Sequence, residues 1–142
     1  MATNKKLFIT SSIFIAFIDR THQKHAQAVA CFEYFATQKY QIYTSHVNIV
    51  EAYRTIFADI SPFLARDFLR AIALSSINVL YPSEADIKIA IKALVASQSN
   101  DLNFLDAQSE ALAYRNSIMQ IFSFDYMPLL FGLTSFVLPD SL

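Results

Sequence analysis

Three acidic residues far apart in the chain, Glu51, Asp106 and Asp125, are the side chains whose chemistry would matter most if folding brought them together. Clustered carboxylates bind hard divalent cations such as Mg²⁺, which need few protein ligands because they keep several waters. A cation held in this way activates a water and stabilises in-line displacement at a phosphodiester. Each acid also has a local reading. Asp106 lies three residues after Asn103 and suits the first turn of a helix capped by that asparagine. Asp125 can close a turn after a strand. Glu51 can pair with Arg54 at a spacing of three. Glu110, four residues after Asp106, projects from the same helix face and reads as a solvated surface charge, with a fourth site acid as the alternative.

Composition removes other chemistries. Gly132 is the one glycine, so neither GxGxxG nor a Walker-type loop exists, and both need glycines where backbone approaches phosphate. Cys31 is the one cysteine, which excludes an internal disulfide framework and a cysteine-based zinc site and suits a reducing, cytoplasmic setting. A formal net charge of −1 gives no global field for nucleic acid, so any such contact needs a local basic patch. Lys5, Lys6, Arg20, Lys24, Arg54 and Arg115 are its candidates. His22 and His25 read as surface histidines because no third ligand accompanies them. His46 reads as a local polar group beside a helix cap. The 13 phenylalanines and 7 tyrosines lie mostly at helical spacing and read as core, with base stacking or a partner groove as alternatives.

The elements that must position the acids alternate along the chain. Lys6 to Thr10 reads as a strand, followed by a helix capped by Ser11 or Ser12 and ending near Asp19. The apolar run from Leu7 to Ile18 behind two lysines has the outline of an export signal, but it is too short to span a bilayer and no clear cleavage site follows. A buried strand running into a helix is the preferred reading. His22 to Gln38 is an amphipathic helix and Tyr40 to Thr44 a strand. Ser45 caps the next helix, and Ser61 with Pro62 opens another. Ile77 to Tyr81 is a strand, and Ser83 with Asp86 makes a near capping box for a helix to about Ser97. Phe104 to Arg115 is a helix, Met119 to Phe124 a strand and Ser135 to Leu138 a last strand. This alternation predicts a mainly parallel sheet covered by helices in one domain over residues 1–142. Ligands in such sheets bind outside the carboxyl ends of the strands, where Thr10, Ser12, Glu51, Asp106 and Asp125 then fall.

Four segments in order, FITSSIFIAFID, SHVNIVEAYRTI, LNFLDAQSEALA and QIFSFD, resemble the motif blocks of the PIN-domain family along essentially the full chain. The resemblance implies a three-layer α/β/α fold. It further implies an Mg²⁺- or Mn²⁺-dependent endoribonuclease acting on RNA, with Glu51, Asp106 and Asp125 as catalytic metal ligands and Arg54 orienting Glu51. Many small prokaryotic members are toxins paired with an antitoxin protein and form homodimers, so an antitoxin partner and a dimer are implied, with no membrane. One position departs from the pattern. Thr10 stands where the family's first aspartate belongs, and a hydroxyl is a far poorer ligand than a carboxylate. Asp19 is too far along the helix to replace it. Thr10 and Ser12 would then reach a cation through water. The alternative is a catalytically inactive PIN-like module that binds RNA or a protein partner.

Overall fold

The structure is a computed structural model and describes residues 5–139. Its centre is β1 (Lys6–Ile9). Leu7, Phe8 and Ile9 have no exposed surface, and burying each side chain fully contributes about 1.5–3 kcal/mol. Side chains alternate across a strand, so β1 seeds two cores. Leu7 and Ile9 pack with Ile13, Phe14, Phe35, Ile56 and Phe68 on one face. Phe8 packs with Leu112, Ile118, Ile121 and Leu133 on the other.

The chain leaves β1 through α1 (Ser11–Ile18) and α2 (His25–Thr37) to reach β2 (Gln41–Ser45). It then crosses through α3 (His46–Asp59) and α4 (Pro62–Leu74) to β3 (Asn78–Leu80). From that edge it returns through α5 (Glu84–Ala96) and α6 (Phe104–Arg115) to β4 (Gln120–Phe122), on the far side of β1, and ends in β5 (Thr134–Ser135). The strand order is β3-β2-β1-β4-β5, and every pairing is parallel. Residues of α1 to α4 fill the first core. Residues of α6 complete the second, and α5 packs on α6 through Ala90, Ala107 and Ala111. This is the parallel, helix-covered sheet that the alternation of elements predicts, in the three-layer α/β/α form that the family resemblance implies. Two of those pairings tie β1 to both halves of the sequence, since Phe8 pairs with both Tyr43 and Ile121.

The helix caps were the most legible local features. Ser45 and Ser61 accept from the N–H groups of Asn48 and Leu64, Ser83 and Asp86 form a complete capping box, and Asn103 accepts from the Asp106 N–H. Most strands are a residue or two shifted or shorter than the sequence reading, β4 being Gln120–Phe122 instead of Met119–Phe124, and three further boundaries differ for local reasons. α1 begins at Ser11 with Thr10 as its N-cap residue, and the Thr10 side chain makes no capping bond. α2 begins at His25 instead of His22, because the Asp19 carboxylate accepts from the Thr21 N–H and hydroxyl and holds the preceding residues in a turn. The last strand is Thr134–Ser135 instead of Ser135–Leu138. The apolar run Leu7 to Ile18 is spent on β1 and α1, and among the described residues no helix is long and apolar enough to cross a membrane.

Candidate functional site

The chain crosses away from β1 in one direction to β2 and enters β4 from the other, so the sheet has its topological switch point between β1 and β4. The crevice outside the carboxyl ends of such neighbours is the usual binding place of an open parallel sheet. Thr10 to Ser12 lead out of β1 there, and Ser123 to Asp125 lead out of β4.

Hydroxyl groups stitch these two exits together. Thr10 Oγ1 lies 3.1 Å from Ser12 Oγ and donates to the Phe122 carbonyl at 3.3 Å. Ser12 Oγ lies 3.2 Å from Ser123 Oγ and accepts the Phe124 N–H at 2.9 Å. Ser123 Oγ in turn accepts the Asp125 N–H at 3.1 Å. The segment that carries Asp125 is thus set by the start of α1. Beneath it, Asn48 acts as a buried hub. Its Oδ1 accepts the Ser11 N–H at 3.0 Å, and its Nδ2 donates to Ser45 Oγ and Ser109 Oγ, each at 2.8 Å. Ser109 donates to the Leu105 carbonyl. Asn48 therefore locks the N-termini of α1 and α3 to the first turns of α6, which carry Asp106.

The acids are brought to this edge unequally. Asp106 is half-buried on the first turn of α6. Burial pushes its carboxyl up to about 6, and the nearby Asp125 charge adds to this against the opposing Asn103 hydrogen bond. Asp125 is exposed at the end of β4. Glu51 is half-buried on α3 and lines a cavity of about 310 Å³ with Asp125, Ser11 and Ser12. Asp106 does not line that cavity. Among the described residues, no three His, Cys, Asp or Glu side chains are close enough to hold one metal ion together. The donor set still suits a hard cation, since it is all oxygen and Mg²⁺ is commonly held by one or two carboxylates and its own waters. The Asp125 charge, which adds to the burial that raises Asp106, is a repulsion that a bound cation would relieve.

Glu110 corrects the sequence reading. It is not a solvated charge: it has no exposed surface. One carboxylate oxygen accepts the Leu130 N–H at 2.6 Å, and the other is buried without a hydrogen-bond partner among the described residues. Burial pushes this carboxyl up to about 7, with Asp106 adding to the rise and Leu130 opposing it. Among the described residues Glu51 and Arg54 form no ion pair. Arg115 is also not part of a basic rim, because it pairs with buried Asp86. His46 stacks on Tyr81 with ring centroids 5.3 Å apart. Sequence reasoning missed Asn48 and Ser109. The available signal for Asn48 was its place three residues after the Ser45 cap, inside the first turn of a helix.

Among curated protein sequences none matches this chain. Solved structures do. The chain is similar to VapC20 of Mycobacterium tuberculosis, described as a sarcin-ricin-loop-cleaving toxin, at 22% identity and a TM-score of 0.75, over 84% of this chain and 89% of that one. It is also similar to VapBC2 of Rickettsia felis, solved with a DNA fragment from its promoter, at 12% identity and a TM-score of 0.61, over 84% and 87%. FitAcB of Neisseria gonorrhoeae gives 11% identity and a TM-score of 0.62 over the same shares. At these identities the likeness is one of fold. The family model described as the PIN domain matches residues 7–129, nearly the whole of the α/β/α core and both strand exits, and this chain belongs to the PIN-domain family.

Proposed function

We propose that this protein is a metal-dependent endoribonuclease of the PIN type with an altered site, acting as the toxin of a toxin–antitoxin pair in the cytoplasm as a homodimer. The observation that carries the reading is the stitched switch point of the sheet, where Ser12 bonds to the exit of β4 and Glu51 and Asp125 line one cavity; the Asp106 carboxyl, raised to about 6 by burial and by the Asp125 charge, agrees with it. Membership of the PIN family and the likeness to a sarcin-ricin-loop-cleaving toxin support it. The similarity to VapBC2 and FitAcB supports an antitoxin protein as partner.

Asp106 and Asp125 are the residues that would hold Mg²⁺ or Mn²⁺, and Glu51 lines the cavity beside Asp125 without joining them in one cluster. When bound, such a cation supplies Lewis-acid activation of a water and neutralises charge developing at phosphorus. The remaining work falls to the chain itself. Ser12 and Ser123 fix the backbone that carries Asp125, and Asn48 fixes α6 under Asp106. Thr10 is 4% exposed, and its hydroxyl already bonds to Ser12 and the Phe122 carbonyl, so its part is to hold the β1 exit against β4.

That same feature favours a second reading, an inactive PIN-like module that binds RNA or a protein partner. Cleavage of labelled RNA with Mn²⁺ separates the two, with Asp106→Asn and Thr10→Asp run beside the parent. The enzyme reading expects cleavage by the parent and at least ~100-fold less by Asp106→Asn, the scale on which site electrostatics act. Cleavage by Thr10→Asp alone would show a competent scaffold that has lost its chemistry. No cleavage by any of the three would favour the binding module.

A further inference from the structure

The cavity that holds Glu51 and Asp125 is not purely acidic. His22 and Lys24 line it too, carried in by the turn between α1 and α2 that Asp19 organises. Their placement is specific. Lys24 is exposed, and its Nζ lies 5.1 Å from the centroid of the Phe124 ring. Phe124 directly precedes Asp125 and is itself pinned through its N–H to Ser12. A cation over an aromatic face is held by the ring quadrupole, so the ammonium is parked at the exit of β4. Among the described residues Lys24 makes no ion pair, although Glu51 and Asp125 share its cavity. His22 Nδ1 accepts the Lys24 backbone N–H at 3.0 Å. In the neutral ring that bond places the proton on Nε2, which leaves Nε2–H as a donor not used by this contact.

An RNA strand approaching this edge brings phosphate oxygens toward two carboxylates. The formal net charge of −1 supplies no long-range attraction, so the compensating contacts must be local. His22 and Lys24 are the basic side chains lining this cavity, one a directed donor and the other a compact point charge. We propose that Lys24 and His22 are the RNA-phosphate-binding residues of the site, seating one backbone phosphate beside Glu51 and Asp125. The proposal rests on the ribonuclease reading above and names the part of the site that grips the substrate. It also gives the α1–α2 turn a functional role in place of the surface role that the histidine spacing suggested.

The test is binding of a short labelled single-stranded RNA in EDTA, where cleavage is suppressed, followed from 50 to 200 mM salt. Lys24→Gln removes the charge at an exposed position. Lys92→Gln, on an exposed stretch of α5, removes the same charge elsewhere. For Lys24→Gln the Kd should rise about tenfold near 100 mM salt, which corresponds to about 1.4 kcal/mol. Its log–log salt slope should shrink by about 0.7, the share of one phosphate on a single strand. Lys92→Gln should match the parent. His22→Gln should raise Kd by a smaller factor with the slope nearly unchanged. In Mn²⁺ cleavage assays Lys24→Gln should raise KM more than it lowers kcat. Equal Kd and slope for Lys24→Gln and Lys92→Gln would overturn the inference. Asp106-dependent cleavage by the parent would then leave the ribonuclease reading standing. A parent that neither binds nor cleaves RNA would overturn both together.

Discussion

Replacing Glu110 by glutamine should change how stability depends on pH, by an amount the structure sets. Glu110 has no exposed surface, and one of its oxygens has no hydrogen-bond partner among the described residues. Burial first, then Asp106, raises its carboxyl from 4.5 to about 7, against the Leu130 N–H. Below pH 4.5 the folded and unfolded chains both carry the proton. Between 4.5 and about 7 the unfolded chain releases it while the folded chain keeps it, so stability falls as pH rises. Above about 7 the loss levels off at roughly 3 kcal/mol. Glutamine fills the same space, accepts from the Leu130 N–H and does not titrate. Its Nε2 replaces the unpartnered oxygen at a cost of about 1–3 kcal/mol that is independent of pH. Urea unfolding in EDTA should therefore show the parent losing roughly 2 kcal/mol more than Glu110→Gln between pH 5 and pH 8. Asp106, raised to about 6, titrates inside this window in both proteins, so its own contribution drops out of the difference between them. Parallel stability curves for the two proteins would refute the reasoning, because they would mean that the folded state ionises Glu110 as readily as water does.

Two further substitutions probe the frame around the site. Asn48→Ala strips partners from the Ser11 N–H and from buried Ser45 and Ser109; it should lower the unfolding free energy by about 2–4 kcal/mol in thermal or urea melts, and a loss under 1 kcal/mol would contradict the hub role. Asp86→Ala removes the α5 capping box and the buried partner of Arg115, at about 2–3 kcal/mol near neutral pH. Burial raises the Asp86 carboxyl, but the Ser83 N–H, Arg115 and the Ser83 hydroxyl outweigh it and hold it below 3.8. Its contribution is thus present above pH 3.8 and fades as pH falls through the folded value. A penalty that grew in acid would count against this account.

How far the sequence could be read depended on whether the deciding contact was local. Ser83 with Asp86 and Asn103 with the Asp106 N–H are satisfied within one helical turn, so residue types and spacing were enough. The bounds of α6, Phe104–Arg115, were legible for the same reason. What lies around α6 was not. Every residue from Ala107 to Ala113 is buried, because the helix is wedged between the sheet and α5. Yet Gln108, Ser109 and Glu110 are among its buried residues, so its sequence lacks the all-apolar composition that marks a fully covered helix, and nothing told Glu110 apart from a surface charge. The placing of Glu51 and Asp125 on one cavity, with Asp106 outside it, followed in part from the strand-end rule for parallel sheets. The entry of His22 and Lys24 into the cavity did not, since it depends on a turn folding back over an exit that lies about a hundred residues later in the chain.

The pairing of Phe8 and Ile9 with Ile121 and Phe122 also sets an order of events during synthesis. β1 emerges from the ribosome before β2 and β4 and can pair with β2 once Tyr43 has followed it. Its other edge stays open until β4 is made. Contacts this distant in sequence slow folding and leave partly built sheets with exposed edges. The Ser12–Ser123 stitch and the Asp106–Asp125 encounter belong to the same late step. A nascent chain that stops short of Ser123 can hold β1, β2 and most of the first core, yet it has no switch point and no site. Completion of the cavity is thereby tied to completion of nearly the whole PIN domain, and a ribosome-bound fragment is a folding intermediate without the candidate site.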